Sequence, residues 1–346
     1  MVFSFNFIML SIVLFFVGIS AVSDQGISAT ILKEFIPSKN SSILAVFTLF
    51  YRVGGALIAV IIIIVELINP KIMADWRIIS IIIFFWVSLQ LIQRQFMDET
   101  PRYLFTAGKL EKAEEVLKKI SIANKKSIDI QLSRPECPKD EITEIKQKST
   151  LKILFIKENI RKTMLLTIIG TMISFANISI ILYLPTFLKE FSLTLRYTVI
   201  LIQQFWGVLG SFMGRKLVTT RFGKKWTLSL SSIILGFYVF FFLLVYEIFS
   251  AIAFISLYQF LFQISIGTIW IIVPESFSTN ERGTFIGWFL LWQNMAGFVA
   301  PTIIGSCLSL GGNAAALSAI SFSHLVAGLF SIFLIEIKLK KGPNLI

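Results

Sequence analysis

Apolar residues run along this chain in stretches of roughly 20, separated by short polar loops and by one long polar segment before the midpoint. Nine such stretches lie near 5–31, 42–66, 76–93, 164–188, 197–217, 226–246, 250–273, 285–309 and 314–336. Each is long enough for a helix to cross a hydrocarbon core of ~30 Å. Backbone groups in lipid must be satisfied within a helix or a closed barrel, and these stretches lack strand alternation. The pattern therefore predicts an all-α, polytopic membrane protein with about nine transmembrane helices.

The polar segment divides the chain into an apolar block at 1–93, a linker at 94–160 and a second block with a short tail at 161–346. Within the linker, Leu110, Ala113, Val116, Leu117 and Ile120 share one face of a predicted helix. Glu114–Lys118 and Glu115–Lys119 fall at the i,i+4 spacing that favours ion pairs. Beyond Asn124 the linker is charged and holds Pro135 and Pro138, a composition that predicts partial disorder.

Composition agrees: 55% of the 346 residues are apolar and 34 are Phe. The net charge of +12 would suggest nucleic acid in a soluble protein, but the basic residues are confined to particular loops. Half of the Lys and Arg lie between Arg94 and Lys162, and half of the others in Arg215–Lys216, Arg221–Lys225 and the tail Lys338–Lys341. These loops alternate with others poor in basic residues, such as Tyr246-Glu247 and Leu310–Asn313. That asymmetry predicts cytoplasmic basic loops and a cytoplasmic C-terminus in a plasma membrane or endomembrane, with no nucleic-acid partner. An odd number of spans then puts Met1 on the far side. Residues 1–22 also fit a signal peptide with Ala21-Val22-Ser23 as a loose cleavage site, although the basic n-region is missing. Cys137 in the linker and Cys307 inside a span predict no structural disulfide.

Met97-Asp98-Glu99-Thr100-Pro101-Arg102-Tyr103-Leu104 closes the first block. It resembles the D/E-S/T-P-R-W/Y-L signature after the sixth helix of major facilitator superfamily transporters, most closely their sugar, organic-ion and synaptic-vesicle-glycoprotein branches. A repeat adds to the resemblance. Lys33-Glu34-Phe35-Ile36-Pro37 follows the first span and Pro274-Glu275-Ser276-Phe277-Ser278 the seventh, and each precedes a span with small residues, Gly54-Gly55-Ala56 and Ala296-Gly297. Parallel repeats relate the two six-helix halves of that superfamily. The resemblance equates the first span with the family's fourth helix. It implies a partial N-terminal bundle, a complete C-terminal six-helix bundle, and counterparts of helices one to three that are truncated or upstream of this sequence.

The resemblance also implies a cytoplasmic gate. Glu275–Gly283 is similar to the family's E-x-x-P-T-x-x-R-G element, with Ser278 for Pro. Thr220–Lys225 is similar to its D-R-x-G-R-R/K loop, with Thr220 for Asp. In relatives such elements form a salt-bridged latch, which implies gate roles for Glu34, Glu99, Arg102, Arg221, Glu275 and Arg282. The bland alternative is ordinary charge in positive-inside loops. Ser41 stands where Glu34's matching Arg would fall.

Charged groups near the bilayer centre face a cavity or an opposite charge. Asp24 and Arg52 each lie about ten residues, or about 15 Å, inside a span. They are expected to pair, as a coupling or substrate site taking a proton or sodium ion or as a static pair; the alternative is an Arg52 that snorkels. Polar and small residues recur at helical spacing as Gln259, Gln263, Gly267 and Trp270, as Ser174 and Asn177, and as Asn294, Gly297 and Pro301. Each stripe reads as helix glue or as the wall of a solute cavity. Packing is the stronger reading for Gln203, Gly207, Gly210 and Gly214. Asn294–Pro301 resembles the eleventh helix of organic-ion transporters, with a neutral residue where carriers often hold a charge. The tandem Gln motif of hexose porters is missing around Ile168–Asn177.

His324, the only histidine, has no neighbours in sequence for a metal site or triad and reads as a packing residue. No phosphate-binding loop occurs, and no catalytic role, metal or cofactor is expected. The expectation is transport of a small organic solute by alternating access, facilitative or ion-coupled. The alternative is a non-transporting receptor, scaffold or decayed paralogue.

Overall fold

The computed structural model describes residues 6–36, 38–68, 76–125, 151–187, 193–242 and 248–334. The linker with Pro135, Cys137 and Pro138, the Tyr246-Glu247 loop and the basic tail from Lys338 lie outside the described residues, as does the start of the signal-peptide alternative. Every regular element among the described residues is helical. The order is α1 (Phe7–Phe35), a 3-10 segment (Ser38–Val46), α2 (Phe47–Ile68), α3 (Trp76–Gln95), α4 (Pro101–Thr106) and α5 (Leu110–Ala123). A short 3-10 turn (Leu151–Phe155) leads into α6 (Lys157–Phe187), α7 (Leu193–Val218), α8 (Gly223–Phe242), α9 (Ile248–Glu275) and α10 (Thr279–Ile332).

Apart from end residues, the described residues of all nine apolar stretches are helical, and the last two stretches share α10. At 54 residues α10 is about 80 Å long, more than two hydrocarbon thicknesses. It breaks at Gly312, whose φ of 61° and ψ of −153° suit only a residue without a Cβ. The turn expected at Leu310–Asn313 is thus a kink between two legs. Six helices among the described residues are long and apolar enough to cross a bilayer: Phe7–Phe35, Asn40–Val65, Lys157–Leu182, Gly223–Phe242, Ile252–Glu275 and Glu281–Ile332.

The chain forms two compact units, one of Met1–Lys39 with Asn69–Ser149, the other of Asn40–Ile68 with Thr150–Ile346. The sequence pattern puts α2 in the first apolar block. By packing it belongs with α6–α10.

In the first unit the signature motif builds the α4 corner. Thr100 caps α4, accepting a hydrogen bond from the Tyr103 amide at 3.3 Å, and Pro101 occupies the first turn, where no amide hydrogen is needed. The same hydroxyl donates to the buried Glu34 carboxylate at the end of α1. Leu104 packs with Ala113 and Val116 of α5, and Phe35 and Ile120 close over them, so the linker's apolar face docks as its spacing predicts. Lys119 bridges Asp98 at 3.2 Å and Glu115 at 3.3 Å. Hydrogen bonds to Asp98 and Glu115 hold the ammonium above the usual lysine range. That contribution is complete below the ordinary lysine pKa and fades as pH rises through the raised value.

In the second unit α6 packs on α10, α8 on α9 and α10, and α7 on both α9 and α2. Glycine sets the closest approach. A Cβ at Gly210 would collide with the Phe260 carbonyl and lie 2.9 Å from the Gln263 Cβ, and one at Gly214 would lie 3.3 Å from the Ile264 Cα. Side-chain hydroxyls then finish the contacts: Ser229 donates to the Gly328 carbonyl at 2.9 Å and Ser321 to that of Gly236 at 2.7 Å. Small residues and hydroxyls supply the packing and hydrogen bonding that hold helices together where lipid gives no hydrophobic drive.

Gly210→Ala should destabilise the detergent-solubilised protein by about 1–3 kcal/mol, because backbone must move to admit the methyl group. Gly18→Ala, with open space around its Cβ position, should not. Paired thermal melts check this, and equal melting temperatures would show that α7 and α9 are not held at glycine distance.

Candidate functional site

The α9 stripe read from the sequence faces α2 and the 3-10 segment before it. Gln263 donates to Thr48, a Cβ on Gly267 would lie 3.1 Å from the Ala45 carbonyl, and Trp270 packs on Phe47 with ring centroids 5.9 Å apart. Gln259 and Gln263 are fully buried, and between them and α7 lies Arg52, only 6% exposed. Its Nε donates to Gln263 Oε1 at 2.8 Å and its Nη1 reaches Gln204 Oε1 at 3.4 Å. With the Gln259 amide oxygen turned to the guanidinium, Nη2 donates to it at 2.7 Å. The Gln203 and Gln259 amides meet at 2.9 Å.

Glycine makes room for this cluster. A Cβ at Gly207 would stand 3.1 Å from Arg52 Cδ, and one at Gly55 would stand 3.1 Å from the Gln204 amide. Tyr51 and Phe262 flank the guanidinium, with ring centroids 5.5 and 5.6 Å from its carbon. Among the described residues no carboxylate comes within ion-pair distance of Arg52. The cation is compensated by amide dipoles and ring faces.

The expected Asp24–Arg52 pair is therefore corrected. Asp24 on α1 binds Arg94 near the end of α3, with the two side chains 45% and 43% exposed, and Ser28 lies 3.4 Å from the same guanidinium. The sequence argument weighed only charges deep inside spans, which excluded Arg94 at a helix end. A long arginine side chain reaches back from such a position.

Asn177 on α6 and Asn294 on α10 do not join Arg52 in any hydrogen bond. The Asn177 Oδ1 is buried with no partner. Asn294 is exposed, and its Nδ2 donates to Leu290 O of its own helix at 2.7 Å. Its neighbour Gln293 is buried and leaves Nε2 without a partner. Gln293 escaped sequence reading, although Ala296 and Ala300, three and seven residues on and both buried, mark its face as the inner one. Gln204 escaped it too, because only Gln203 lies on the glycine stripe. His324 is buried, with Nε2 3.1 Å from the Tyr258 hydroxyl.

At the far end of the second unit, Lys224 forms an ion pair with Glu275, whose side chain is 4% exposed. Arg282 is buried and donates from Nε to the Pro274 carbonyl at 2.7 Å, across the turn between α9 and α10. Ser278 and Glu281 form a capping box, Asn159 binds Glu281 at 3.1 Å, and Lys162 reaches the Ser276 carbonyl at 3.3 Å. Arg221, the expected basic partner, is exposed, and Lys224 of the same loop takes that role. Gly223, at φ 66°, turns the chain just before α8. In the first unit Glu34 is buried, Glu99 is exposed and Arg102 is half-buried.

Known proteins identify the architecture. The family described as "Sugar (and other) transporter" matches residues 1–341. The chain belongs to that family. It is 25% identical over 347 aligned positions to the major facilitator-type transporter hxnZ of Emericella nidulans, covering 86% of this chain and 62% of that protein. Among solved structures it is similar to the major facilitator proton:xylose symporter XylE bound to 6-bromo-6-deoxy-D-glucose. That match has a TM-score of 0.65 and 18% identity, and covers 88% of this chain and 66% of that one. The chain thus spans under two thirds of the length of each. It is an integral, multi-pass membrane protein of the major facilitator fold, with a partial set of that fold's helices.

The Lys224–Glu275 pair sits where one partner is almost fully enclosed, so its loss should be measurable. Lys224→Met and Glu275→Gln should each destabilise the protein, with a coupling of about 1–3 kcal/mol in a double-mutant cycle. Arg221→Ala should leave stability unchanged. Additive single effects would show that the pair is a surface coincidence.

Proposed function

We propose that this protein moves a small organic solute across the bilayer by alternating access, facilitatively or coupled to a proton or sodium ion. One observation carries the reading: a buried arginine with four glutamines, drawn from α2, α7 and α9, inside otherwise apolar helices. Desolvating such a group is costly, and membrane proteins keep intramembrane charge mainly along solute and ion paths. The family match and the transporter names of both relatives support the same reading; one of them is called a proton:xylose symporter.

In this reading Arg52, Gln259 and Gln263 contact the solute. Trp270 walls the site from the α9 side, while Asn177 and Asn294 contribute from α6 and α10. Asp24 is the candidate coupling acid, its carboxylate shared between Arg94 and an incoming ion. Glu275 with Lys224, and Arg282 with the α9–α10 turn, form the cytoplasmic gate of the C-terminal half. Glu34, Glu99 and Arg102 are its counterpart in the N-terminal half, and Arg221 serves as a topology charge. Such a latch must close in one state and open in the other, so interactions of modest strength suit it. The organisation we propose is a partial N-terminal bundle at 1–93, a cytoplasmic linker at 94–160 and a six-helix C-terminal bundle at 161–346, with the tail in the cytoplasm.

Solute uptake into proteoliposomes tests transport directly, and the absence of uptake across a broad panel of solutes would favour a receptor or scaffold. Cysteines introduced at Ser121 and Thr219 should label from the same, cytoplasmic face; labelling from opposite faces overturns the orientation. Asp24→Asn should abolish any pH dependence of uptake while the protein still folds, since the amide oxygen can still accept a hydrogen bond from Arg94. Retained pH dependence would remove Asp24 as the coupling acid.

A further inference from the structure

The Arg52 cluster has a charge imbalance that points to its ligand. The guanidinium is 6% exposed, and its partners are Gln204, Gln259 and Gln263, which are neutral. Buried charges in membranes pair with an opposite charge or a backbone carbonyl, or face a cavity, and they mark solute and ion paths. No carboxylate among the described residues supplies the opposite charge here. Building on the transport reading, we propose that the solute is an organic anion, and that its carboxylate docks on Arg52 and the surrounding glutamine amides.

Three features fit a carboxylate. The guanidinium is a planar fork that matches a carboxylate with two parallel hydrogen bonds. Gln204, Gln259 and Gln263 surround that fork from two helices, and an amide is the side chain that can serve both states. With its oxygen inward it accepts from the empty cation; rotated by half a turn, its NH2 donates to a bound anion. At Gln259 the orientation that satisfies its neighbours is the one with the amide oxygen toward Arg52, as expected of the empty site. The Thr48 hydroxyl beside Gln263 can accept or donate, so it can partner either orientation of that amide. Finally, Tyr51 and Phe262 set aromatic rings beside the guanidinium, apolar surfaces of the kind an organic anion's carbon skeleton would contact. A neutral sugar would leave the arginine charge uncompensated.

The test uses the full chain in nanodiscs of neutral lipid and matched pairs differing only at the charged group: benzoate with benzamide, and glucuronate with glucose. Binding is read by calorimetry and by thermal shift. At least one acid should bind about 10- to 100-fold more tightly than its neutral partner, the scale of one charge-assisted pair. Arg52→Gln should remove that preference, and Arg52→Lys should weaken it while keeping the charge. If Arg52→Gln does not fold, the matched pairs on the unaltered protein and on Arg52→Lys still decide. Equal binding of acid and neutral partner, or an acid preference that survives Arg52→Gln, overturns the proposal. So does full competition by inorganic phosphate, which would mark a general oxyanion or lipid-headgroup site. Uptake of neutral solutes without acid binding would overturn the anion assignment alone, leaving transport standing. The absence of both acid binding and any uptake would overturn the two together.

Discussion

A fixed positive charge with no ionised partner, enclosed by helices that must otherwise be apolar, constrains the second unit more than any other group. The Arg52 guanidinium carries five N–H donors, and in a low-dielectric interior each unmet donor is costly. Its surroundings follow from that demand. Gln204 on α7 and Gln259 and Gln263 on α9 bring oxygens to it, and Gly207 lets its stem pass the α7 backbone. Gly210 and Gly214 then draw α7 against α9, and Gly267 draws α9 against the segment before α2. The glycines read from the sequence as packing devices and the glutamines read as a polar stripe are parts of one construction.

Much of this was legible because it depends on periodicity. Apart from end residues, the described residues of the nine apolar stretches are helical, and the 259–263–267–270 stripe does face one neighbouring stretch of chain. The amphipathic face from Leu110 to Ile120 docks on Leu104, and Glu115–Lys119 pairs as its spacing predicts. These features need only 3.6 residues per turn and a rule about which side chains lipid accepts.

Partner choice was less legible, since it depends on which helices meet. The two deep charges Asp24 and Arg52 looked complementary, yet α2 packs with α7 and α9, and Asp24 finds Arg94 of its own unit. Depth along a span carries no information about azimuth or neighbour. The same gap explains Lys224 replacing Arg221, and Gln293 lying buried beside the exposed Asn294. One residue along a helix turns a side chain by about 100°, enough to exchange an inner position for an outer one.

Two kinds of polar contact result, and their charge balance separates them. The ion pairs Lys224–Glu275 and Asp24–Arg94 join opposite charges. The arrangement at Arg52 balances hydrogen bonds without balancing charge. An ion pair there would be self-sufficient, and a solute anion would have to compete with a resident carboxylate. Amides compete weakly: they satisfy the cation while the site is empty and yield to a full negative charge when one arrives. In the proposed anion reading, a carboxylate supplied by the solute makes occupancy itself the step that neutralises the site. In an alternating-access cycle, a state whose charge is balanced only when loaded is one that discourages reorientation when empty.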